Sequence, residues 1–292
     1  MRAIPFLAAG AAGGVEMGDA FERMAWDLEF AGRAKRTRQV YLADGRAFAA
    51  FHKTSPEAMG QGEVRLWVEH LIAKGTSPSR LRQHLSALVF LFRKTLGKPE
   101  AVSFFSWPKD ALRLPVVLSV EEVARLLAAV PGDNYRMLFR TMFAAGLRIR
   151  EACRLKMGDL DAERGVIHVM GKGNVERQAA LHPRLLEILR TYWREVHPVR
   201  PWLFTGRLGK PLDPDQARKV FKAARVQSGL TKRATPHALR HTYATLLLEA
   251  GTDLRVIQAL LGHSTIRSTE RYLHVATHLL TASADPLELL PP

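Results

Sequence analysis

The 292-residue chain contains one cysteine, Cys153, and no long hydrophobic run. A single cysteine excludes a disulfide within the chain and is typical of proteins from reducing compartments. No apolar stretch approaches the roughly 18 residues of a membrane-spanning helix, and no Cys and His residues have the spacing of a zinc site. We therefore expect a cytoplasmic protein without a membrane segment or a metal, in which Cys153 is a buried core thiol.

The first 16 residues hold one basic residue and a proline inside a short apolar run. This is a poor match to a secretory signal peptide. We interpret residues 1–16 as a flexible extension before the first helix. Met17 is an alternative natural start.

Acidic residues are scarce relative to basic ones, with 28 Asp and Glu against 43 Lys and Arg and a net charge of +15. This excess predicts an anionic partner, and nucleic acid is favoured over a membrane surface because no basic amphipathic helix stands out. Solubility alone is the alternative explanation. The length and the hydrophobic fraction of 47% allow two domains with their own cores.

The N-terminal third shows four amphipathic helical segments, in which apolar residues recur three and four positions apart. Breaks fall at Gly32, at Ser55–Pro56 and at residues 75–78. We predict a four-helix domain over residues 17–98. The next segment, residues 99–114, has little periodicity and is interpreted as a linker.

A second domain is predicted from residue 115 onwards. Ser119 and Glu122 have the spacing of a capping box at a helix start. The strings VIHVM, GKGN and VERQAAL predict a β-hairpin with Lys172 in its turn. We expect a mainly α protein with a small β-sheet, in which residues 115–275 form a mixed α/β domain and residues 276–292 form an apolar tail.

Six residues with side chains suited to phosphate chemistry occur in the strings GLRIRE, GKGN, TPHALRHT, LLGHS and ERYLHV. They are Arg148, Lys172, His237, Arg240, His263 and Tyr272. Together they supply two guanidiniums, an ammonium, two imidazoles and a phenol. Attack on a phosphodiester without a metal needs such a set: a nucleophile, cations for the phosphate oxygens, and groups that exchange protons.

Local signals predict how two of these motifs are presented. Thr235 is a good N-cap, so His237 falls in the first turn of a helix, where free N–H groups favour a phosphate. Arg240 follows three residues later and shares that face of the helix. Gly262 is expected to end the preceding helix and to leave His263 in the loop beyond it.

In this order and these contexts, the six residues resemble the active-site set of the tyrosine recombinase (phage integrase) family, which includes Xer-like and integrase-like site-specific recombinases. The HxxRH string followed by LLGH and then a tyrosine is a specific combination, whereas GLR or GKG alone is common. The resemblance covers residues 115–275 by motif and residues 18–98 by size and helical pattern. It implies a core-binding domain and a catalytic domain that form a C-shaped clamp around DNA.

The resemblance also implies a role for each residue. Tyr272 is the expected nucleophile, which forms a 3′-phosphotyrosyl link and releases a 5′-hydroxyl, so that strands are rejoined without ATP. Arg148 and Arg240 would hold the non-bridging phosphate oxygens. Lys172 would be the general acid for the departing oxygen, and His263 a secondary contributor to the transition state.

The remaining expectations concern His237, Glu151 and His241. His237 is predicted to act at the phosphate beside Arg240. Glu151 is expected to orient the site without reacting. His241 is interpreted as a packing or hydrogen-bonding residue.

The expected partner is double-stranded DNA with a specific recombination site, and no cofactor is expected. The protein would act as dimers and tetramers on DNA, through a Holliday junction, in the nucleoid. An accessory recombinase or a DNA-bending protein would be a further partner. The tail, residues 276–292, is expected to dock on a neighbouring protomer, with docking on its own core as the alternative.

Six basic residues are predicted DNA contacts, three on the helix that begins near Pro214 and three in the N-terminal domain. They are Arg218, Lys222, Arg225, Lys35, Arg80 and Arg82. Arg218, Lys222 and Arg225 recur on one face of an amphipathic helix, as a backbone-binding face requires. A merely solvated basic surface is the alternative.

Two other functions remain open. A type IB topoisomerase has similar active-site chemistry but relaxes DNA as a monomer without a defined site. The apolar tail and the LLGH string argue against it. A catalytically silent DNA-binding regulator would be expected to lack one of the six residues, and all six are present.

Overall fold

The computed structural model of the protein describes residues 18–108, 114–171, 176–263 and 265–273. Contacts along the chain divide it into two compact units, residues 1–112 and 113–292. In the described ranges, no helix is both long and apolar enough to cross a membrane. The predicted N-terminal extension and the apolar tail both lie outside these ranges.

Four helices build the first unit. They are α1 (Gly18–Phe30), α2 (Lys35–His52), α3 (Gln61–Ala73) and α4 (Pro78–Phe90). Their boundaries follow the predicted breaks: Gly32 adopts a positive φ between the first two helices, and Pro78 opens α4 after its N-cap Ser77. Phe48 and Trp67 are buried against each other in the shared core. The four-helix prediction is confirmed.

The first core continues into the segment that the sequence suggests as a linker. After α4 the chain makes a π-helical turn, Leu91–Thr95, and a 3-10 turn, Pro99–Val102. Ala101 and Val102 are buried in the same cluster as Phe48. Because this chain is irregular, its buried residues have no period that a sequence pattern reveals.

The described part of the second unit contains a longer set of helices. They are α5 (Val120–Ala128), α6 (Asp133–Ala145), α7 (Ile149–Cys153), α8 (Pro183–Val196), α9 (Pro214–Gln227), α10 (Pro236–Glu249), α11 (Leu254–Leu261) and α12 (Arg267–Glu270). The predicted capping box opens α5, since Ser119 N–H donates to Glu122 Oε2 (2.8 Å) and Glu122 N–H donates to Ser119 Oγ (3.2 Å). Thr235 is the N-cap residue of α10, but its hydroxyl makes no capping hydrogen bond.

A small antiparallel sheet completes this described region. Its strands, in the order β1-β2-β3, are β1 (Leu160–Asp161), β2 (Val166–Met170) and β3 (Glu176–Ala180). The β2–β3 hairpin is confirmed, with Val169 opposite Arg177 and Ile167 opposite Ala179. Strand β1 is an addition to the sequence prediction. Residues 172–175, which connect the two strands in the sequence and include Lys172, lie outside the described residues.

Two apolar clusters position the functional residues of the second unit. The larger one includes Phe139 on α6 and Phe221 on α9, whose rings meet edge to face at 5.2 Å. Cys153 is fully buried there, and burial raises the pKa of its thiol to about 12, as a core thiol requires. The smaller cluster packs α10 against α11 and includes Leu261 and Tyr272.

Candidate active site

Five of the six predicted catalytic residues lie in the described part of the second unit, at or near helix ends. Arg148 is the N-cap residue of α7, and His237 and Arg240 lie near the start of α10. His263 follows α11 and Tyr272 follows α12. Helix ends concentrate unpaired backbone groups and exposed side chains, so this arrangement suits a site for a polar substrate.

Glu151 on α7 binds the guanidiniums that surround it. Arg148 Nη1 donates to Glu151 Oε1 (2.7 Å), and Arg177 Nη2 donates to Oε2 (2.8 Å). The Arg148 backbone N–H also donates to Oε2 (2.8 Å), and Arg240 Nη1 lies 3.9 Å from the same oxygen. Burial alone raises the pKa of Glu151, but Arg177 and Arg148 outweigh it, so its pKa lies below the ordinary value. The carboxylate is therefore ionised and fixes the arginines.

Arg240 is almost completely buried, at 3% exposure. Its guanidinium donates to the carbonyl oxygens of Gly146 (2.7 Å), at the end of α6, and of Leu261, at the end of α11. Gly146 adopts a positive φ that stops α6 and turns the chain into Arg148. Burial first, and then Arg148 and Arg177, lower the pKa of Arg240 to about 9. That value still leaves Arg240 a cation at neutral pH.

Tyr272 is buried, at 1% exposure, in the cluster between α10 and α11. Its hydroxyl lies 3.1 Å from Nδ1 of His241, within hydrogen-bond distance. Burial raises the pKa of Tyr272, and the charges of Arg240, Arg271 and Arg148 act in the opposite direction. The phenol is neutral in this state and has cations near it that favour its ionised form.

His263 lies beside Tyr272, and the two rings are nearly parallel with centroids 6.4 Å apart. His263 Nδ1 is 2.9 Å from the hydroxyl of Thr269, a fully buried residue of α12. Gln258 Nε2 donates to the His263 carbonyl (3.1 Å), which fixes the loop after α11. Burial, and then Arg240, lower the pKa of His263 to about 4, so its imidazole is neutral at neutral pH.

His237 is the most accessible imidazole of the set. Partial desolvation and the charges of Arg240, Arg148 and Arg218 lower its pKa. It lies one helical turn before His241, with the two ring centroids 6.5 Å apart. Its place in the first turn of α10 is the one that the sequence predicts.

Arg177 is a site residue that the sequence reasoning misses. Its place in the returning strand argues against a role, yet its side chain is only 9% exposed and reaches Glu151. Its Nη1 also donates to the Leu260 carbonyl (2.5 Å), so it joins β3 to the end of α11. One signal is available in the sequence. Arg177 lies two positions before the buried Ala179 on β3, so the two side chains point to the same face of the sheet.

The predicted DNA contacts of the second unit lie on α9. Arg218 forms an ion pair with Asp215, and Arg225 Nη1 donates to the Lys232 carbonyl (3.3 Å). An open cavity of about 550 Å³ adjoins them and reaches the start of α10. Its basic lining residues are Arg218, Lys222, Arg225, Arg233 and His237. Arg233 is not among the predicted contacts.

The three predicted contacts of the first unit differ in their surroundings. Lys35, the first residue of α2, is exposed. Arg80 is bound to the buried carboxylate of Asp44 through Nη1 (2.9 Å) and Nη2. Arg82 donates to the carbonyl of Pro108. Arg80 therefore has a structural partner, although its side chain remains 42% exposed.

The second unit therefore combines a tyrosine hydroxyl with buried or fixed guanidiniums and neutral imidazoles. This combination can bind a phosphate diester, attack it and exchange protons. In the described ranges, no group of three or more His, Cys, Asp or Glu residues is arranged to hold a metal ion.

The two units match two protein families. Residues 117–278 match the phage integrase family, and residues 21–101 match the N-terminal SAM-like domain of phage integrases. Among solved structures of similar fold, a λ integrase fragment dimer bound to a core site has a TM-score of 0.72 at 19% identity, covering 87% of this chain and 93% of that one. The XerH recombinase in a post-cleavage complex has a TM-score of 0.69 at 22% identity, covering 84% and 77%.

Curated relatives extend over most of the chain. A putative integrase/recombinase of Sinorhizobium fredii is 38% identical over 274 residues, which is 92% of this chain and 89% of the relative. Tyrosine recombinase XerC of Rhodospirillum centenum is 36% identical over 293 residues, covering 90% and 85%. The chain therefore belongs to the phage integrase family and is a tyrosine-type site-specific DNA recombinase.

Proposed function

We propose that this recombinase cleaves DNA through Tyr272, whose phenol oxygen attacks the scissile phosphodiester and forms a 3′-phosphotyrosyl link. One observation carries the proposal: the buried Tyr272 shares its site with Arg148 and Arg240, and both cations favour its phenolate. The nucleophile and the phosphate-binding groups thus lie in one site. The link retains the energy of the phosphodiester bond, so a 5′-hydroxyl can reverse the reaction without ATP.

Arg148 and Arg240 bind the two non-bridging oxygens of that phosphate. The planar guanidinium suits this geometry because it presents paired donors. Negative charge grows on these oxygens in the pentavalent transition state, so fixed cations stabilise that state more than the ground state. Burial of Arg240 strengthens the effect, since a charge acts over a longer range where water is excluded.

Lys172 is the proposed general acid, which protonates the departing 5′-oxygen. Support comes from its place in the sequence between the paired strands β2 and β3 and from the bond between Arg177 of β3 and Glu151. His237 and His263, both neutral at neutral pH, contribute hydrogen bonds to the phosphate. Glu151 positions the arginines and does not react.

Both units contribute contacts to double-stranded DNA. In the second unit, α9 and the adjoining basic cavity supply contacts to the DNA backbone through Arg218, Lys222 and Arg225. In the first unit, Lys35, Arg80 and Arg82 are the proposed contacts.

The protein assembles on DNA as dimers and tetramers and exchanges strands through a Holliday junction. Solved structures of similar fold support this assembly, since they include a λ integrase dimer on a core site and a tetramer on a Holliday junction. The tail, residues 276–292, is the proposed contact between protomers, and an accessory recombinase or a DNA-bending protein is a further proposed partner. The reaction takes place in the cytoplasm, where chromosomal and mobile DNA are accessible.

A topoisomerase-like activity has less support, because the family and the curated relatives are recombinases. A silent regulator also has less support, since the sequence retains all six predicted catalytic residues.

The test uses purified protein and DNA cloned from either side of its own gene, presented as nicked substrates that trap cleavage. Denaturing gels report a covalent protein–DNA adduct. We expect an adduct at one mapped position with the wild type and none with Tyr272→Phe, which removes only the attacking oxygen. Both proteins should retard DNA equally in native gels.

The outcomes are distinct. An adduct retained by Tyr272→Phe would rule out this nucleophile. An adduct scattered over any DNA would favour a topoisomerase. Tight binding without an adduct would favour a silent regulator or a recombinase that lacks its true site or partner.

A further inference from the structure

Attack by Tyr272 requires a group that takes the proton of its hydroxyl. Tyr272 is 1% exposed, so bulk water does not reach this hydroxyl. Burial also raises the pKa of the phenol, so it does not ionise spontaneously at neutral pH. A nearby base is needed at the moment of attack.

Of the described side chains, His241 is the one within hydrogen-bond distance of the Tyr272 hydroxyl. The separation of 3.1 Å between His241 Nδ1 and the phenol oxygen is within the reach of a general base. His263 is also adjacent, but its ring lies parallel to that of Tyr272 with centroids 6.4 Å apart, and its Nδ1 bonds to Thr269; the described structure contains no hydrogen bond between His263 and the Tyr272 hydroxyl. For His237, the described structure contains no hydrogen bond to Tyr272.

The surroundings of His241 keep its imidazole uncharged. Burial lowers the pKa of His241 to about 4, and Arg271, His237 and Arg240 act in the same direction. At neutral pH the imidazole is therefore uncharged, and one of its ring nitrogens can accept a proton. Arg240 and Arg271 would also stabilise the phenolate that remains.

We propose that His241 is the general base that accepts the hydroxyl proton of Tyr272 during strand cleavage. The ring hydrogen of the resting imidazole lies on Nε2, and the phenol O–H donates to Nδ1. As the phenol oxygen bonds to phosphorus, the bond from phosphorus to the 5′-oxygen breaks and the phenol proton moves to Nδ1. The 5′-oxygen takes its proton from the general acid, assigned above to Lys172. In rejoining, a 5′-hydroxyl attacks phosphorus and gives its proton to Lys172, while the bond from phosphorus to the phenol oxygen breaks and that oxygen recovers its proton from His241.

The position of His241 on α10 gives the proposal a structural reason. His241 directly follows Arg240 and lies one turn after His237. One helix thus carries a phosphate-binding cation and, beside it, the base for the nucleophile. The HxxRH string contains both residues, although the sequence alone indicates only packing or hydrogen bonding for His241.

The proposal rests on Tyr272 as the nucleophile, and its test separates the two. The variant His241→Asn keeps a hydrogen-bonding atom near the place of Nδ1, because both atoms are attached to Cγ, but an amide does not accept the proton. Each protein is made with tyrosine or with difluorotyrosine at position 272, since fluorine lowers the phenol pKa and reduces the need for a base. The substrate is nicked DNA with the position mapped in the adduct experiment, and the readout is the single-turnover rate of adduct formation.

We expect His241→Asn to slow adduct formation about 100-fold or more, as loss of a general base does. Difluorotyrosine should restore most of that loss, which a purely structural defect would not allow. The comparison variant His237→Asn should also be slow, but difluorotyrosine should not restore it. His182→Asn is the matched control, because His182 is exposed at the N-cap of α8, where Asn is favourable, and it should cleave like the wild type.

Other outcomes overturn the proposal. Unchanged cleavage by His241→Asn would mean that another group, such as a phosphate oxygen, accepts the phenol proton. Faster cleavage would mean that the contact restrains Tyr272. A slow variant that difluorotyrosine does not restore would make His241 structural, and selective restoration of His237→Asn would make His237 the base. Should His241→Asn fail to fold, His241→Gln takes its place with the same expectations. An adduct formed by Tyr272→Phe on the same substrate, by contrast, would contradict the Tyr272 proposal itself.

Discussion

Glu151 is a carboxylate at the centre of a site that binds an anion. Its function is to hold the surrounding arginine side chains in place. Its side chain is 5% exposed, and three guanidiniums contact it or lie near it. One carboxylate and three guanidiniums leave a surplus of positive charge for the phosphate. Without Glu151 the arginines would repel one another in a region of low polarity, and a buried charge without its partner is costly.

Replacement of Glu151 by glutamine should therefore destabilise the protein and do so in a pH-dependent way. The folded pKa of Glu151 lies below its ordinary value of 4.5. Its ionic contribution is thus complete above about pH 4.5 and is lost as the pH falls through the lower, folded pKa. We expect Glu151→Gln to lose about 3 kcal/mol of unfolding free energy at neutral pH, with a gap to the wild type that narrows below pH 4.5.

Thermal or urea unfolding over a series of pH values measures this gap. Glu163→Gln removes an exposed carboxylate in the same unit and should have little effect at any pH. A Glu151→Gln gap that stays constant down to the acid limb would show that the carboxylate charge does not stabilise the site.

At the scale of elements, short sequence signals predict the helix boundaries and the β-hairpin. The four helices of the first unit are separated at the predicted Gly and Pro breaks. Helices α5 and α10 begin after the predicted cap residues Ser119 and Thr235, and α11 ends at the predicted Gly262. The hairpin follows from alternation around GKGN. Each of these features depends on a few consecutive residues, so the sequence alone contains the needed information.

The missed contacts are non-local. Arg177 bonds to Glu151, 26 positions away, and to the Leu260 carbonyl, 83 positions away. His241 meets Tyr272 across 31 positions. Such partners depend on how helices and strands pack, and no local pattern encodes that packing. The six predicted catalytic residues are recognisable because they occur in conspicuous strings. Arg177 lies outside those strings, and the HxxRH string contains His241 without indicating its contact with Tyr272.

The end of α11 shows how one glycine links an element to the site. Gly262 has a φ of +60°, and a Cβ there would lie 2.2 Å from Cδ of Arg177. We expect Gly262→Ala to cost about 1 kcal/mol for the left-handed backbone and about 1 to 3 kcal/mol more for the displaced arginine. Because Arg177 and the adjacent His263 would shift, cleavage should fall as well.

Gly229→Ala is the matched control. Gly229 follows α9 with a φ of +70°, and a Cβ at this position would have nothing within 4 Å. This variant should show the backbone cost alone and keep full cleavage activity. Equal losses of unfolding free energy in the two variants, measured by urea unfolding, would mean that the Arg177 side chain moves away from the new Cβ without destabilising the protein.

At the scale of the whole molecule, the net charge of +15 matters through its distribution. A basic protein binds DNA non-specifically wherever its cations meet phosphates, and this binding weakens with salt as counterions return to the DNA. One face of α9 is proposed to make a defined share of these contacts. That face adjoins the basic cavity at the start of α10, so its contacts lie near the reacting phosphate.

Removal of that face should therefore change the salt dependence of binding. We expect the triple variant Arg218→Gln, Lys222→Gln, Arg225→Gln to reduce the slope of log affinity against log salt by about 2 to 3 units, since each phosphate contact contributes about 0.9. The matched control neutralises three exposed arginines of α8, which are Arg184, Arg190 and Arg194. It removes the same charge from the same unit and should leave the slope nearly unchanged. Fluorescence anisotropy with a labelled duplex, from low to physiological salt, gives both slopes. If the slope falls equally in the two triple variants, DNA binding depends on the total charge of the protein, and α9 does not make a defined set of phosphate contacts.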